Sequence, residues 1–540
     1  MTGHWLDWTL FSAYLIVIFA FGLYMSRRET SASGFFLAGR RLPWYAIAIS
    51  LFASNISSGS LVGLAGDAYR YGMAVSALEW GAILGLLLLT FVYLPHYRTL
   101  GVFTTPEFLE KRYSPGTRCV FALTVIAVEI LVYMPFIFYA GAMFMNTLFG
   151  FSAEWSILGI AAFVGIYTTV GGLGAVVWTD VLQGILMVIG GTVVVVLAIG
   201  EIGGLAALEQ QVPTGHFSID LPADHVAYPF PWALLGGYFL VTIYYWCHNQ
   251  TIVQRTFAGR TDWDASMGAI GACYIKLLMP FIIVLPGILA AILLPDLENS
   301  DQAFPLLIQR VVPSGLMGLI MATMVASLMS SADSGLNSLA TIFTNDFYRR
   351  WIEPDASDRT LVIVGRLSSV AILLAIVARA LTMQVDSLMQ FFQVGLAYLA
   401  APVILVFGAG LFWRRATPAA AFTTFLVSPF VCYFCQIGHT WWPWWPTSMI
   451  FWMLAAVGIL FLFLVVVSLG TTAKSSADLR GLIWDPKRAF ASQQPAAKAA
   501  DGQAADQVHS HNQPARIWTD HRLWAGLALV LMLLEMWWFF

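Results

Sequence analysis

Apolar residues run through this chain in long blocks, not in amphipathic stripes or short alternating stretches. Fourteen blocks stand out, with cores near 8–26, 44–70, 74–97, 118–148, 153–171, 174–200, 231–250, 266–295, 313–345, 361–382, 384–412, 418–437, 445–470 and 522–540. A helix needs about 20 apolar residues to cross bilayer hydrocarbon. The pattern therefore predicts an all-α, polytopic membrane protein with about 14 transmembrane helices. The blocks at 118–148 and 313–345 exceed one crossing and are expected to tilt or to run past the membrane. The first block has no basic stretch before it and no small-residue cleavage site after it, so it reads as a retained helix.

The second block is interrupted. Residues 52–66 read Phe-Ala-Ser-Asn-Ile-Ser-Ser-Gly-Ser-Leu-Val-Gly-Leu-Ala-Gly. Glycines, serines and an asparagine at this density weaken the helical ladder. A break at membrane depth survives only where freed carbonyls meet protein, water or an ion. This stretch is a candidate ion and solute site.

Composition agrees with the pattern: of 540 residues, 59% are hydrophobic and 11% charged, which excludes an ordinary soluble protein. The net charge of −3 says little, because the placement of Lys and Arg matters more. With the N-terminus outside and the segments alternating, all of the 27 basic residues except Arg70, Lys276, Arg310 and Arg379 fall on the inner side. The inner set includes Arg27, Arg28, Arg118, Arg255 and Arg260, together with Lys487, Arg488, Lys498 and Arg516 of the polar 471–521 stretch. That asymmetry predicts both termini on the outer side of the cell membrane. Residues 471–521 read as a cytoplasmic linker. His509 and His511 within it read as a solvated tail. The run Trp441–Trp445 reads as an interfacial anchor. Five cysteines, an odd number, sit mostly in apolar blocks and read as buried thiols; the single C-x-x-C pair Cys432/Cys435 is weak as a metal signal.

Charges inside apolar blocks are functional candidates by default. They are Glu79, Lys276, Asp180, Asp333, Glu129 and Glu535. Glu79 and Lys276 admit two readings. They form a structural ion pair, or they hydrogen-bond an uncharged polyol, to which a carboxylate offers acceptors and an ammonium donors. Glu129 and Glu535 read as facing a polar crevice or an interface. Ser327, Ser330 and Ser331 fall at i, i+3 and i+4 on one helical face. They either back-bond to their own helix or join freed carbonyls in an oxygen shell for a hard cation.

Several ordered motifs resemble the sodium:solute symporter family, and most its sodium/glucose cotransporter branch. They are Phe35-Phe-Leu-Ala-Gly-Arg40, Ser50-Leu-Phe-Ala-Ser-Asn-Ile56, Val62-Gly-Leu-Ala-Gly66, Tyr167-Thr-Thr-Val-Gly-Gly-Leu-Gly-Ala175 with Trp178-Thr-Asp180, Trp246-Cys-His-Asn-Gln250 with Val253-Gln-Arg-Thr256, and Leu336-Asn-Ser338 with Thr341-Ile-Phe-Thr344 and Asp346. The likeness runs from about residue 8 to 415 and more weakly to the end.

The resemblance implies a LeuT-type core of two inverted five-helix repeats. It divides the chain into an extra helix and inner loop (1–43), a first repeat (44–200), an outer loop (201–230), a second repeat (231–412), two peripheral helices (413–470), the linker (471–521) and a final helix (522–540). It implies a Na⁺ site from the carbonyls of Ala53, Ile56 and Ser327 and the hydroxyls of Ser330 and Ser331, with Asp180 as the acid linked to coupling. It implies solute contacts at Glu79, Asn249, Lys276 and Gln393. Ser60 stands at a further solute position, where relatives carry Gln or His. Thr251 stands where a bacterial galactose transporter has a gating Tyr, and Ala82 replaces a small polar contact. Asp333 adds a carboxylate that could serve a second cation.

The implied function is Na⁺-coupled import of a sugar or related polyol by alternating access, with sodium, the solute and the bilayer as partners and no nucleic acid. The alternatives are a Na⁺ symporter of another solute (inositol, an organic acid or an amino acid) and a non-transporting sugar sensor. No nucleophile–base pair or metal cluster stands out, so an enzyme is not expected.

Overall fold

The computed structural model describes residues 4–26, 31–223, 225, 227–385, 387–485 and 520–540. Arg27, Arg28, Lys487, Arg488, Lys498, Arg516, His509 and His511, and most of the 471–521 stretch, lie outside the described residues. Helices make up the fold, and no strand is present among the described residues.

The main helices are α1 (Trp5–Ser26), α2 (Trp44–Asn55), α3 (Ser58–Tyr71), α4 (Ala77–Leu88), α5 (Pro115–Val128), α6 (Met134–Phe149), α7 (Ala153–Ile202), α8 (Gly237–Cys247) and α9 (Gln250–Phe257). They continue as α10 (Asp262–Leu277), α11 (Leu285–Leu293), α12 (Met317–Ile342), α13 (Asp358–Leu381), α14 (Leu388–Phe412), α15 (Pro418–Ile437), α16 (Met449–Gly470) and α17 (His521–Phe539). Starts follow local chemistry. Ser114 and Thr417 cap α5 and α15, each with proline at the first helical position, where its missing N–H costs nothing. Helix α2 lies at the centre, packed on α7, α9, α10 and α12. Helix α17 covers α4 and α10, with Trp80 Nε1 donating to Glu535 Oε2 at 3.0 Å.

Among the described residues, 11 helical runs are long and apolar enough to cross a membrane. Length and apolarity thus carry fewer crossings than the fourteen expected. Part of the shortfall has a physical cause: Trp44–Asn55 and Trp232–Cys247 are shortened by breaks. Helix α2 stops at Ile56, whose ψ is 99°. The 50-residue α7 kinks at Gly172, where φ is +63° and a Cβ would sit 2.8 Å from the Phe35 carbonyl. Only glycine meets both conditions. Helix α8 ends at Cys247, and Asn249 caps α9 by accepting from the Thr251 amide at 2.8 Å.

The break in residues 52–66 is narrower than its glycine content predicts. It spans Ile56 and Ser57 only, and Ser57 caps α3 through the Ser60 amide at 3.1 Å. All three glycines lie inside α3, where they admit neighbours. A Cβ on Gly59 would lie 2.2 Å from the Phe136 ring.

At the end of the fold that carries Glu110, Asp346 is fully buried. It accepts from Arg118 Nε at 2.6 Å and Thr104 Oγ at 2.9 Å. Glu110 accepts from Arg118 and Arg350. Burial works against its charge, and those two guanidiniums outweigh burial and hold its carboxyl below the usual range.

Gly59→Ala should destabilise by about 1–3 kcal/mol, the cost of overpacking. Gly458→Ala, in α16 with nothing within 4 Å, should be neutral or stabilising. Thermal unfolding of the two variants in detergent checks the contrast.

Candidate functional site

The last turn of α2 is the centre of the site. Helix termini leave carbonyls without intrahelical partners, and α12 supplies hydroxyls to them. Ser330 Oγ donates to the Ala53 carbonyl at 2.8 Å, with the Ser327 carbonyl a second acceptor at 3.1 Å. Ser331 Oγ donates to the Ser54 carbonyl at 3.1 Å. The Ser327 hydroxyl back-bonds to Met324 at 2.8 Å, so only its carbonyl faces this group. Ile56 turns extended just past the helix end, which takes its carbonyl out of the α2 ladder. These oxygens are buried, and no thiol or imidazole stands among them. An all-oxygen set of this kind suits a hard cation such as sodium. Among the described residues, no cluster of three or more His, Cys, Asp or Glu could hold a metal ion.

A second group adjoins it. Asp180 Oδ2 accepts from Ser50 Oγ at 2.6 Å, Ser54 Oγ at 3.0 Å and Arg255 Nη2 at 3.1 Å. Asp180 and Arg255 are 0% and 1% exposed, so this is a fully buried ion pair. Arg255 also donates to Ser50 at 2.7 Å, to Ser54 at 2.5 Å, and to Ser334 and the Thr251 carbonyl. Arg255 is therefore not a flanking charge at a membrane surface, as its place in the chain suggests. It is drawn inward by Asp180. The Asp180 Oδ1 atom is buried without a hydrogen-bond partner. Asp333 is buried beside this group and accepts from Ser334 Oγ at 3.2 Å.

The other side of the same turn faces a cavity of about 80 Å³ lined by Asn55, Ser60, Glu79, Tyr133, Tyr245, Trp246, Lys276 and apolar side chains that include Met389 and Phe392. Lys276 Nζ donates to Glu79 Oε2 at 2.6 Å and to Asn55, and lies 5.5 Å from the centre of the Trp246 ring. The volume is well below the roughly 300 Å³ at which ligand pockets begin. A solute of several hydroxyls enters only if the apolar wall shifts.

Two residues expected at the solute lie elsewhere. Gln393 does not line the cavity; its carbonyl accepts from Tyr238 at 3.0 Å and its amide reaches the Tyr228 hydroxyl at 3.5 Å. Tyr228 in turn donates to Asp67 at 2.6 Å. Asn249 is occupied in capping α9 and in donating to Glu129 Oε1 at 3.4 Å. Sequence reasoning missed Asn55, Arg255 and the pair Tyr133/Tyr245. Asn55 carried a signal, since a lone amide at the end of an apolar run invites a partner.

A family profile described as "Sodium:solute symporter family" matches residues 35–428. The chain belongs to the sodium:solute symporter family. A sodium/glucose cotransporter of Vibrio parahaemolyticus is 35% identical over 447 residues, covering 77% of this chain and 82% of that protein. Sodium/myo-inositol cotransporter 2 of Sus scrofa is 35% identical over 450 residues, covering 76% of this chain and 66% of that protein. Among solved structures, a Na⁺-coupled sialic acid symporter in its substrate-bound outward-open state aligns with a TM-score of 0.78 at 22% identity, over 87% of this chain and 99% of that one. A nucleobase-cation-symport-1 family transporter in a closed conformation aligns with a TM-score of 0.56 at 15% identity, over 83% and 97%. The fold of this sodium:solute symporter is thus that of the LeuT-like transporters, in an integral membrane protein.

Within the symporter, Arg255→Met leaves Asp180 buried and unpaired, a change that costs about 3–5 kcal/mol. Adding Asp180→Asn should recover most of that loss. A double-mutant cycle on thermal unfolding reads the recovery. Additive losses would show that the pair is not coupled.

Proposed function

We propose that this symporter imports a hexose-like sugar or related polyol together with Na⁺. Sodium is taken to bind Ala53, Ile56, Ser327, Ser330 and Ser331, with Asp180 close by as the coupling acid. The solute is taken to bind against Glu79, Lys276 and Ser60, with Asn249 and Gln393 recruited once the site opens. The observation that carries the reading is the last turn of α2. Ala53 and Ser54 meet the serines of α12, while the next residue, Asn55, meets Lys276. One turn of helix joins an oxygen shell for an ion to a charged pair that can hydrogen-bond hydroxyls.

The mechanism follows from that junction. Sodium at the serines orders the end of α2 and so presents Asn55 to the cavity. A polyol then exchanges hydrogen bonds with the Lys276–Glu79 pair, its hydroxyls accepting from the ammonium and donating to the carboxylate. Each ligand raises the other's affinity because both need the same turn in one arrangement. Rocking of one bundle against the other exposes both ligands inward, with fourteen crossings, inverted repeats at 44–200 and 231–412, and both termini outside. An inward membrane potential adds about 2.3 kcal/mol per charge per 100 mV. Inositol is the second reading, favoured by the myo-inositol cotransporter relative at the same 35% identity.

Uptake of labelled glucose, galactose and myo-inositol into proteoliposomes, with and without an inward sodium gradient, tests the proposal. Accumulation should require sodium, and equal uptake in both conditions would sink the coupling. Ser330→Ala removes a hydroxyl that contributes roughly 0.5–1.5 kcal/mol. It should raise the sodium half-saturation several-fold, and the Ser330→Cys variant, which keeps a weak donor, should recover part of the sodium affinity.

A further inference from the structure

The fold contains a second buried carboxylate close to the solute cavity, and the reading above does not use it. Glu129 opens a π-helical turn, Glu129–Tyr133, between α5 and α6. It is 4% exposed. Its Oε1 accepts from Asn249 Nδ2 at a long 3.4 Å, and its Oε2 is buried with no hydrogen-bond partner. Tyr244, whose carbonyl accepts from the Asn249 amide at 3.0 Å, has a hydroxyl that is also buried without a partner. Two unmet polar groups thus share one small region.

That region adjoins the cavity. Tyr133 lies four residues beyond Glu129 in the same turn, and Tyr245 lies four residues before Asn249. Both tyrosines line the cavity, and their hydroxyls are 3.3 Å apart. The tyrosine pair thus shares the cavity lining with Lys276 and Glu79, while Glu129 and Asn249, each four residues from one of the tyrosines, do not line it.

The charges of the two pairs differ. Glu79 is neutralised by Lys276, whose ammonium donates to Glu79 and Asn55. Arg255 is fully occupied with Asp180, Ser50, Ser54, Ser334 and the Thr251 carbonyl. No cation forms an ion pair with Glu129 among the described residues. A lone carboxylate at membrane depth is expensive unless a cation or a proton meets it. A neutral hydroxyl can hydrogen-bond it but cannot balance it. A ligand that supplies both a donor and a positive charge satisfies Glu129 completely.

We propose that Glu129 is a specificity-determining residue of the solute site, and that it selects a polyol bearing a protonated amine, an amino sugar, over the neutral sugar of the same size. The hydroxyls of the solute engage Glu79 and Lys276. Its ammonium passes the Tyr133–Tyr245 pair to Glu129, with Asn249 at its side. This rests on the solute site proposed above.

Thermal stabilisation of the purified full-length protein in saturating sodium tests it, with glucosamine, glucose and N-acetylglucosamine as probes at a pH where the amine of glucosamine is protonated. Glucosamine should bind more tightly than glucose by roughly tenfold or more, the size of a hydrogen bond to a charged group. N-acetylglucosamine, which keeps the nitrogen and loses the charge, should show no such gain. Glu129→Gln keeps the shape and removes the charge, and should abolish the preference while glucose binding persists. Should that variant fail to fold, Glu129→Asp keeps the charge on a shorter arm and should retain a reduced preference. Sodium-dependent binding of glucose with no gain for glucosamine overturns the inference and leaves the sugar symport reading standing. So does an unchanged preference in Glu129→Gln. Uptake of neutral sugar that titrates with pH in the parent and not in Glu129→Gln assigns the carboxylate to a proton, which also overturns it. Absence of sodium-dependent binding by all three probes removes both readings together.

Discussion

The hydrogen bonds from Ser330 and Ser331 to the Ala53 and Ser54 carbonyls hold the centre of this protein together. Inside hydrocarbon, every backbone polar group needs a partner, because an unmet one costs several kcal/mol. A helix that stops at mid-membrane exposes a full turn of carbonyls. Helix α12 meets that demand with side chains, and so the end of α2 and the serine face of α12 define one another. The match is also what makes the place reactive. A hydroxyl that donates to a carbonyl can instead turn its lone pairs, along with that carbonyl's, toward a cation. In the proposed sodium site the same oxygens would serve both arrangements, and exchanging one for the other would require no refolding.

Two buried ion pairs flank this junction, and neither is explained by stability. Desolvation commonly cancels the attraction within a buried pair, which makes such pairs poor stabilisers and good specifiers of geometry. Arg255 holds Asp180 and, through Ser50 and Ser54, one face of α2. Lys276 holds Glu79 and, through Asn55, the end of the same helix. Successive residues in one helical turn thus report to separate charged networks. In the proposed mechanism a ligand that disturbs one network would shift the turn on which the other depends, so coupling would need one shared element and no long chain of intermediaries.

What the sequence disclosed follows from the range of each interaction. The all-helical class, the family and the identity of Glu79, Lys276, Asp180 and the serine face were legible, because polar residues stand out against an apolar background. The position of the break was only half legible. The glycines at 59, 63 and 66 drew attention to it, yet they serve packing against neighbours such as Phe136, and the cap is Ser57. Arg255 was hidden, since an arginine near a helix end looks the same whether it meets solvent or an aspartate 75 residues away. The break after Cys247 was hidden for a related reason. Asn249 is a good cap, but only tertiary contacts decide whether a helix stops at a good cap. The place of Gln393 was hidden because one step along α14 separates Phe392, which lines the cavity, from a side chain held by Tyr238 and Tyr228.

The cavity walls differ in how readily they can move. On the polar side, Asn55, Lys276 and Glu79 are tied by charged hydrogen bonds, and shifting any of them leaves a buried group unmet. On the opposite side, α14 offers Met389, Phe392 and Leu396. Phe392 stacks flat on Phe136 with centroids 4.7 Å apart, and Tyr133 leans on Phe392 at 5.4 Å. Apolar faces can slide at modest cost, because the packing given up in one register is recovered in the next and the faces themselves share no hydrogen bond. Room for a solute larger than about 80 Å³ is therefore made most cheaply by moving α14 relative to α2. That displacement would also draw Gln393, one residue on from Phe392, away from Tyr228. The glutamine that now bonds two tyrosines would then be free to turn toward whatever had entered.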